Sequence, residues 1–375
     1  MSGTPVIVTW PFVVVAGLFG YLYFQLLSHG RLRFQPTGTI VGATIALVVA
    51  LFLSVLIHEL GHGLAGRIYH LKPHEYVITF FGGHTTFEGG ALKPGSRAVI
   101  SLLGPVANLV LAGLCTLIVA PTLPGFMGTP DTPMQACLVY VAMTNGLIGL
   151  FNLIPAAPLD GGGVVEAIVW KISGRRALGE MTAAVCGLVA AAGILFWALL
   201  PERGASLDQA MWRVMIALIV GQGAYLALRR ALTLKRYEAF SVRQSLIPAI
   251  ALPHHFTASQ GQAALDQATP DTWVVVIDSS GQPEGVIGPS AWRAVPPDQA
   301  GTLTLDSVMQ VVPRGWGVPA SAGGVEALWS LAGPARQTHY LPVVEDSRVV
   351  GVLDMQQVRR LVGLPAEPSH DTRGA

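Results

Sequence analysis

Residues 47–66 read LVVALFLSVLIHELGHGLAG, an apolar run with His58, Glu59 and His62 set into its second half. A helix of about 20 residues crosses the ~30 Å hydrocarbon layer of a bilayer, and this run is long enough. An ionisable residue inside such a span is costly and marks a functional site by default. Here three of them form HELGH. Histidines four residues apart lie one turn apart on the same helical face, so both imidazoles can reach one metal ion. The intervening glutamate can then stand beside a metal-bound water and take its proton. HExxH is a short pattern that also arises by chance, but a lone glutamate buried in an apolar span costs several kcal/mol. A metal site is the better account.

Five further segments are long and apolar enough to span a membrane. With the first motif's own helix, the six lie at roughly 5–27, 38–64, 98–120, 134–156, 180–200 and 209–229. The first lacks the basic leader of a secretory signal and is too long for one, so it is expected to stay as a helix. Composition agrees. Of 375 residues, 51% are hydrophobic and only 12% charged, against about 25% in ordinary soluble domains, and mean hydropathy is +0.53. Disordered chains, coiled coils and basic nucleic-acid binders are excluded, and a net charge of +1 offers polyanions nothing. Cys115, Cys137 and Cys186 sit in apolar runs without partners at metal-ligand spacing and read as packing residues.

Lys and Arg in the connecting segments are unevenly shared. Eleven lie in 66–97, in 157–179 and in the stretch directly following the last span (Arg229, Arg230, Lys235 and Arg236), against three (Arg31, Arg33, Arg203) on the other side. The positive-inside bias therefore puts both termini in the cytoplasm, in a multi-pass protein of the cell membrane.

Two histidines do not complete a hydrolytic zinc site, which ordinarily has three protein ligands and one open position. The fourth span ends FNLIPAAPLDGGG (151–163) on the same side of the membrane as HELGH, so topology brings Asp160 near the motif. The competing account of LDGG is a helix end and turn, with glycine supplying positive φ.

HELGH together with Asn152, Pro155, Leu159, Asp160 and Gly161 resembles the site-2 protease family of intramembrane zinc metalloproteases. FGG at 81–83 and GPVAN from Gly104 to Asn108 extend the resemblance, which covers roughly residues 1–230. It implies one zinc per chain on His58, His62 and Asp160, Glu59 as general base, and Asn152 holding unwound substrate near the scissile bond. It also implies that Val77–Glu88, with Gly82 and Gly83, forms a membrane-associated hairpin that pairs with substrate as an added strand. A helical peptide bond is shielded by its own hydrogen bonds, and strand addition replaces those lost on unwinding. Glycines at 82, 83, 89 and 90 and the alternation in VITFFGGHTTFEG are compatible with a hairpin. The implied substrate is a single-span membrane protein, often an anti-sigma factor. His70, His74 and His84 in the same loop read as solvated rather than ligating, and Asn108 and Asn145 as hydrogen-bonding between helices.

From about residue 241 the chain is mixed in character. SVRQSLIPAI and WVVVIDSSGQPEGVIGPSAW are echoed by TLDSVMQVV and HYLPVVEDSRVVGVLDMQQV, which align Ile277 with Val344 and Gly285 with Gly351. Residues 241–362 thus resemble a tandem CBS pair. Such pairs commonly bind adenine nucleotides and commonly dimerise. Nucleotide-binding members carry Thr or Ser three residues after the glycine and Asp three further on. Here those positions are Gly288 and Ala291, then Asp354 and Gln357. The pair is therefore expected to be a structural or dimerisation module. Residues 231–240 read as a linker and 363–375 as a disordered tail.

The expected architecture is a polytopic α-helical membrane protein of six transmembrane helices with a C-terminal cytoplasmic α/β tandem CBS domain. A CBS-regulated channel or transporter would share this layout, but its intramembrane charges would line a pathway rather than gather at one site. A silent homologue acting as a scaffold would ordinarily lack Glu59 or one of the three ligands, and this chain keeps all four.

Overall fold

The computed structural model describes residues 4–29, 31–79, 82–88, 92–123, 130–200, 207–313, 315–334 and 338–363. The chain divides into two compact units, Met1–Ala231 and Leu232–Ala375.

The first unit runs β1 (Val6–Val8), α1 (Trp10–His29), α2 (Thr37–Ile68), β2 (Lys72–Thr79), β3 (Gly82–Glu88), α3 (Pro94–Val119), α4 (Pro133–Asn152), α5 (Asp160–Ser173), α6 (Arg176–Leu199) and the part of α7 (Leu207–Ala239) up to Ala231. Every expected span is occupied by a helix long and apolar enough to cross a membrane: α1 to α4, α6 and α7. Their outward faces carry large apolar side chains such as Leu117 and Leu147, about 70% exposed, as lipid-facing helices require. Inside, Tyr23, Leu27, Ile40, Ala43, Leu47 and Ala136 form a buried cluster between α1, α2 and α4. Helix ends follow local chemistry. Thr132 and Gln135 cap each other's backbone at the start of α4, and Gly174 at φ +70° ends α5 in the left-handed region.

Four boundaries differ from the expectations. The first span begins at Trp10, because Val6–Val8 is a strand paired in parallel with β2 (Val6 with Tyr76, Val8 with Ile78). Three consecutive β-branched residues beside a sheet edge favour that pairing over a helix. Helix α4 stops at Asn152 rather than 156, since the prolines at 155 and 158 cannot continue it. The segment read as a loop, 157–179, holds the 14-residue helix α5. The residues read as a linker, 231–240, are helical through Ala239.

The hairpin expected over Val77–Glu88 is present. β2 and β3 pair antiparallel, from Lys72 opposite Glu88 to Thr79 opposite Gly82. With β1 they form a sheet of order β1-β2-β3, so among the described residues β1 and β3 are its two edge strands. Phe81, Gly89 and Gly90 lie outside the described residues.

The second unit comprises α8 (Val242–Ser245), β4 (Leu246–Pro253), α9 (Ala258–Leu265), β5 (Trp273–Ile277), β6 (Pro283–Ile287), α10 (Pro289–Arg293), α11 (Leu305–Val308), β7 (Gln310–Val311), β8 (Val318–Pro319), α12 (Gly324–Ala332), β9 (Tyr340–Glu345), β10 (Arg348–Asp354) and α13 (Met355–Val362). The strands form one sheet of order β7-β6-β5-β4-β10-β9-β8. The internal repeat is visible in its register. Gly285 faces Val276 and Gly351 faces Val343, and each hairpin has a register shift beside that pair. The expected tail lies outside the described residues from 364 onward.

Candidate metal centre

Helix α2 brings His58 and His62 to one face, and their Nε2 atoms lie 3.1 Å apart. The carboxylate of Asp160, first residue of α5, meets both: Oδ2 is 3.0 Å from His58 Nε2 and Oδ1 is 3.4 Å from His62 Nε2. The opposite nitrogens are engaged elsewhere. His58 Nδ1 lies 2.5 Å from Asn108 Oδ1, and His62 Nδ1 lies 2.6 Å from the Ile100 carbonyl. Both partners are acceptors, so each Nδ1 carries the hydrogen and donates it.

This donor set tests whether a cation belongs here. With both Nδ1 hydrogens committed, two Nε2 lone pairs and a carboxylate converge within 3.4 Å with no hydrogen between them. Such an arrangement is repulsive unless positive charge sits among the three. Burial pushes the Asp160 carboxyl up, but the facing His58 and His62 outweigh it and hold it at about 2. Two imidazoles and one carboxylate are the protein donors that catalytic zinc takes. Only glycine lets α3 pass this close to the ligands: a Cβ at Gly104 would stand 2.5 Å from His62 Nε2 and 2.9 Å from His58 Nε2. The residues fit zinc.

Glu59 is 1% exposed. Its ligand oxygen lies within 4.8 Å of those of His58 and His62, and the hairpin holds it. Thr85 Oγ1 donates to Glu59 Oε2 at 2.8 Å. Gly83 lies so close that an added Cβ would stand 2.5 Å from Oε1. Thr85 was not singled out from the sequence, yet the signal existed: it stands two residues from Gly83, on the same face of β3.

Asp160 arrives by a different route from the one expected. It opens α5 instead of closing α4, and the glycines after it are helical, not at positive φ. Gly161 is needed for close approach, because a Cβ would meet the Leu153 carbonyl at 2.5 Å. Further along α5, the buried Glu166 accepts from Arg97 Nε of α3 at 2.8 Å and Arg176 Nε of α6 at 2.9 Å. This clasp ties α5 to its neighbours. Nothing in the sequence pattern marked it, since its three members lie 69 and 10 residues apart.

The remaining expected residues divide. The Asn152 amide donates to the Ile148 carbonyl of its own helix at 3.1 Å. Gly82 lies in the hairpin opposite Thr79. Among the described residues, the group able to hold a metal is His58, Glu59 and His62, met by Asp160; His70, His74 and His84 are outside it. Asn108 and Asn145 do bond between helices, and Asn108 also reaches His58.

In the second unit, Trp273 and Tyr340 open equivalent strands and pack together with ring planes tilted by 51° and centroids 4.5 Å apart. The indole covers Gly288, where an added Cβ would stand 2.5 Å from its ring. Asp354 accepts from the backbone N–H groups of Gln356 and Gln357, capping its own helix. A phosphate at that helix end would compete with a resident carboxylate.

Residues 46–125 and 127–197 match the model of peptidase family M50. A protein of Synechocystis sp. named as a zinc metalloprotease (sll0528) is 28% identical over 366 residues, 96% of this chain and 93% of its own length. The site-2 protease from Methanocaldococcus jannaschii is 24% identical, with a TM-score of 0.42, over 61% of this chain and 93% of that one. The CBS domain of a CBS-domain-containing membrane protein from Sphaerobacter thermophilus is 20% identical, with a TM-score of 0.28, over 37% of this chain and 96% of that one.

Proposed function

We propose that this chain, whose residues 46–125 and 127–197 match peptidase family M50, is a zinc-dependent endopeptidase of the site-2 protease kind, cutting peptide bonds within or near the transmembrane segment of a single-span substrate. The convergence of His58, His62 and Asp160 beside the buried carboxylate of Glu59 carries this reading.

His58, His62 and Asp160 would hold one zinc per chain, which would supply Lewis-acid polarisation of the scissile carbonyl and acidify the attacking water. Glu59 would take a proton from the attacking water and pass it to the leaving amine, so the charge on the carboxylate returns to its starting value at the end of the cycle. Thr85 holds Glu59 Oε2 in place, leaving Oε1 for the proton. The substrate lies extended along β3. The outer edge of β2 is already taken by β1, whereas β3 is an edge strand among the described residues, and its Gly83 and Thr85 are the residues that touch Glu59. Backbone bonds along that edge compensate those the substrate helix gives up. Gly82, Gly83 and Asn152 flank the extended segment. Single-span regulators such as anti-sigma factors are substrates of the right kind. Both termini lie in the cytoplasm, on the side rich in Lys and Arg, and the CBS pair serves as a structural or dimerising module.

The decisive experiment has two parts. Metal analysis of detergent-purified protein is expected to find one zinc per chain, lost in His58→Ala and Asp160→Ala. Co-expression with single-span substrates is expected to show cleavage by wild type and none by Glu59→Gln, which keeps its zinc. A folded wild type that cannot be loaded with zinc, or a Glu59→Gln variant cutting at the wild-type rate, would overturn the reading.

A further inference from the structure

Behind His58 lies a chain of buried polar groups that a lipid-facing bundle has no reason to carry for packing alone. Ser54 is 2% exposed, Asn108 and Asn145 are 0%, and they come from α2, α3 and α4. Every hydrogen in the chain has one direction. The Asn145 amide donates to the Val141 carbonyl (2.9 Å) and to Ser54 Oγ (2.8 Å), so its Oδ1 is left to accept. Asn108 Nδ2 donates to that Oδ1 (2.6 Å) and to the Ser54 carbonyl (3.2 Å). Ser54 Oγ in turn donates to the Ala50 carbonyl (2.7 Å). Backbone carbonyls only accept, so neither amide can flip without stranding a buried donor. What remains is Asn108 Oδ1, 2.5 Å from His58 Nδ1.

We propose that Asn145, Ser54 and Asn108 form a one-way relay of positioning residues that holds His58 in the tautomer with hydrogen on Nδ1, presenting a bare Nε2 to the metal. The proposal rests on the zinc reading above and adds what prepares the ligand. Groups that orient a metal-binding histidine through its other nitrogen set ligand basicity, and their loss typically weakens metal binding about 10–100-fold. His62 needs no such relay, because the Ile100 carbonyl plays that part directly.

The test is zinc affinity of the full-length detergent-purified protein, by competition with a chromophoric chelator, alongside thermal unfolding. Asn108→Leu conserves size and removes the acceptor, and is expected to weaken zinc about 10–100-fold. Asn108→Asp keeps an acceptor for His58 while losing both donors. It is expected to melt lower yet bind zinc within about threefold of wild type, a split that a packing role alone would not produce. Asn145→Leu, which touches no ligand, is expected to weaken zinc by about 3–10-fold by releasing the Asn108 amide. Wild-type affinity in Asn108→Leu, or equal losses in Asn108→Leu and Asn108→Asp, would overturn the relay while leaving the zinc reading standing. Should Asn108→Leu fail to fold, unchanged affinity in Asn145→Leu has the same force. A wild type that binds no zinc overturns both.

Discussion

The backbone of Gly83 closes on the side chain of Glu59 so tightly that a Cβ would stand 2.5 Å from both Cγ and Oε1. The general base is thus held between its own helix and a strand of the hairpin. Gly83→Ala must push the carboxylate aside. A displacement of about 1 Å at a reacting group costs on the order of a hundredfold in rate. Cleavage should fall by about that factor with zinc content unchanged, measured by metal analysis beside a cleavage assay.

Thr85 offers a gentler test of the same carboxylate. Its hydroxyl donates to Glu59 Oε2 at 2.8 Å. A hydrogen bond to a charged group is worth about 1.5–3 kcal/mol. Thr85→Val should therefore cut the cleavage rate by about tenfold or more, with zinc retained, and Thr85→Ser should restore it. Equal rates for Val and Ser variants would count against the tether.

The Glu166 clasp concerns stability first. Removing one member of a buried ion pair costs about 3–5 kcal/mol. Arg97 and Arg176 are 32% and 35% exposed, and screening at that exposure brings the expectation for Glu166→Ala down to about 2 kcal/mol. Thermal unfolding in detergent should show a lower melting temperature. Zinc affinity should fall with it, since α5 also carries Asp160. An unchanged melt would show the clasp to be ornamental.

The second unit should not respond to nucleotides. Trp273 covers Gly288 and Asp354 caps its own helix. Calorimetric titration of the full-length protein with ATP, AMP and S-adenosylmethionine is expected to give no saturable heat. One clear saturable isotherm would show that the aromatic pair of Trp273 and Tyr340 moves aside.

Short-range spacing was enough for much of this protein. Four-residue spacing in HELGH put two imidazoles on one helical face, six long apolar runs became six membrane helices, and alternation with glycines marked the β2–β3 hairpin. Each is a property of neighbouring residues, set by the helical and strand periods. Topology even placed Asp160 near the motif, although 102 residues separate it from His58. Other features depend on which side chains meet after the helices pack. Val6–Val8 reads as the start of an apolar helix until β2 is there to pair with it. Asp160 begins a new helix because Gly161 permits the backbone of residue 153 to come close. Thr85 on Glu59, Arg97 and Arg176 on Glu166, and Asn145 on Asn108 are pairings between distant segments. No period in the chain encodes them, and they exist because buried polar groups in a bundle must find partners wherever packing brings them.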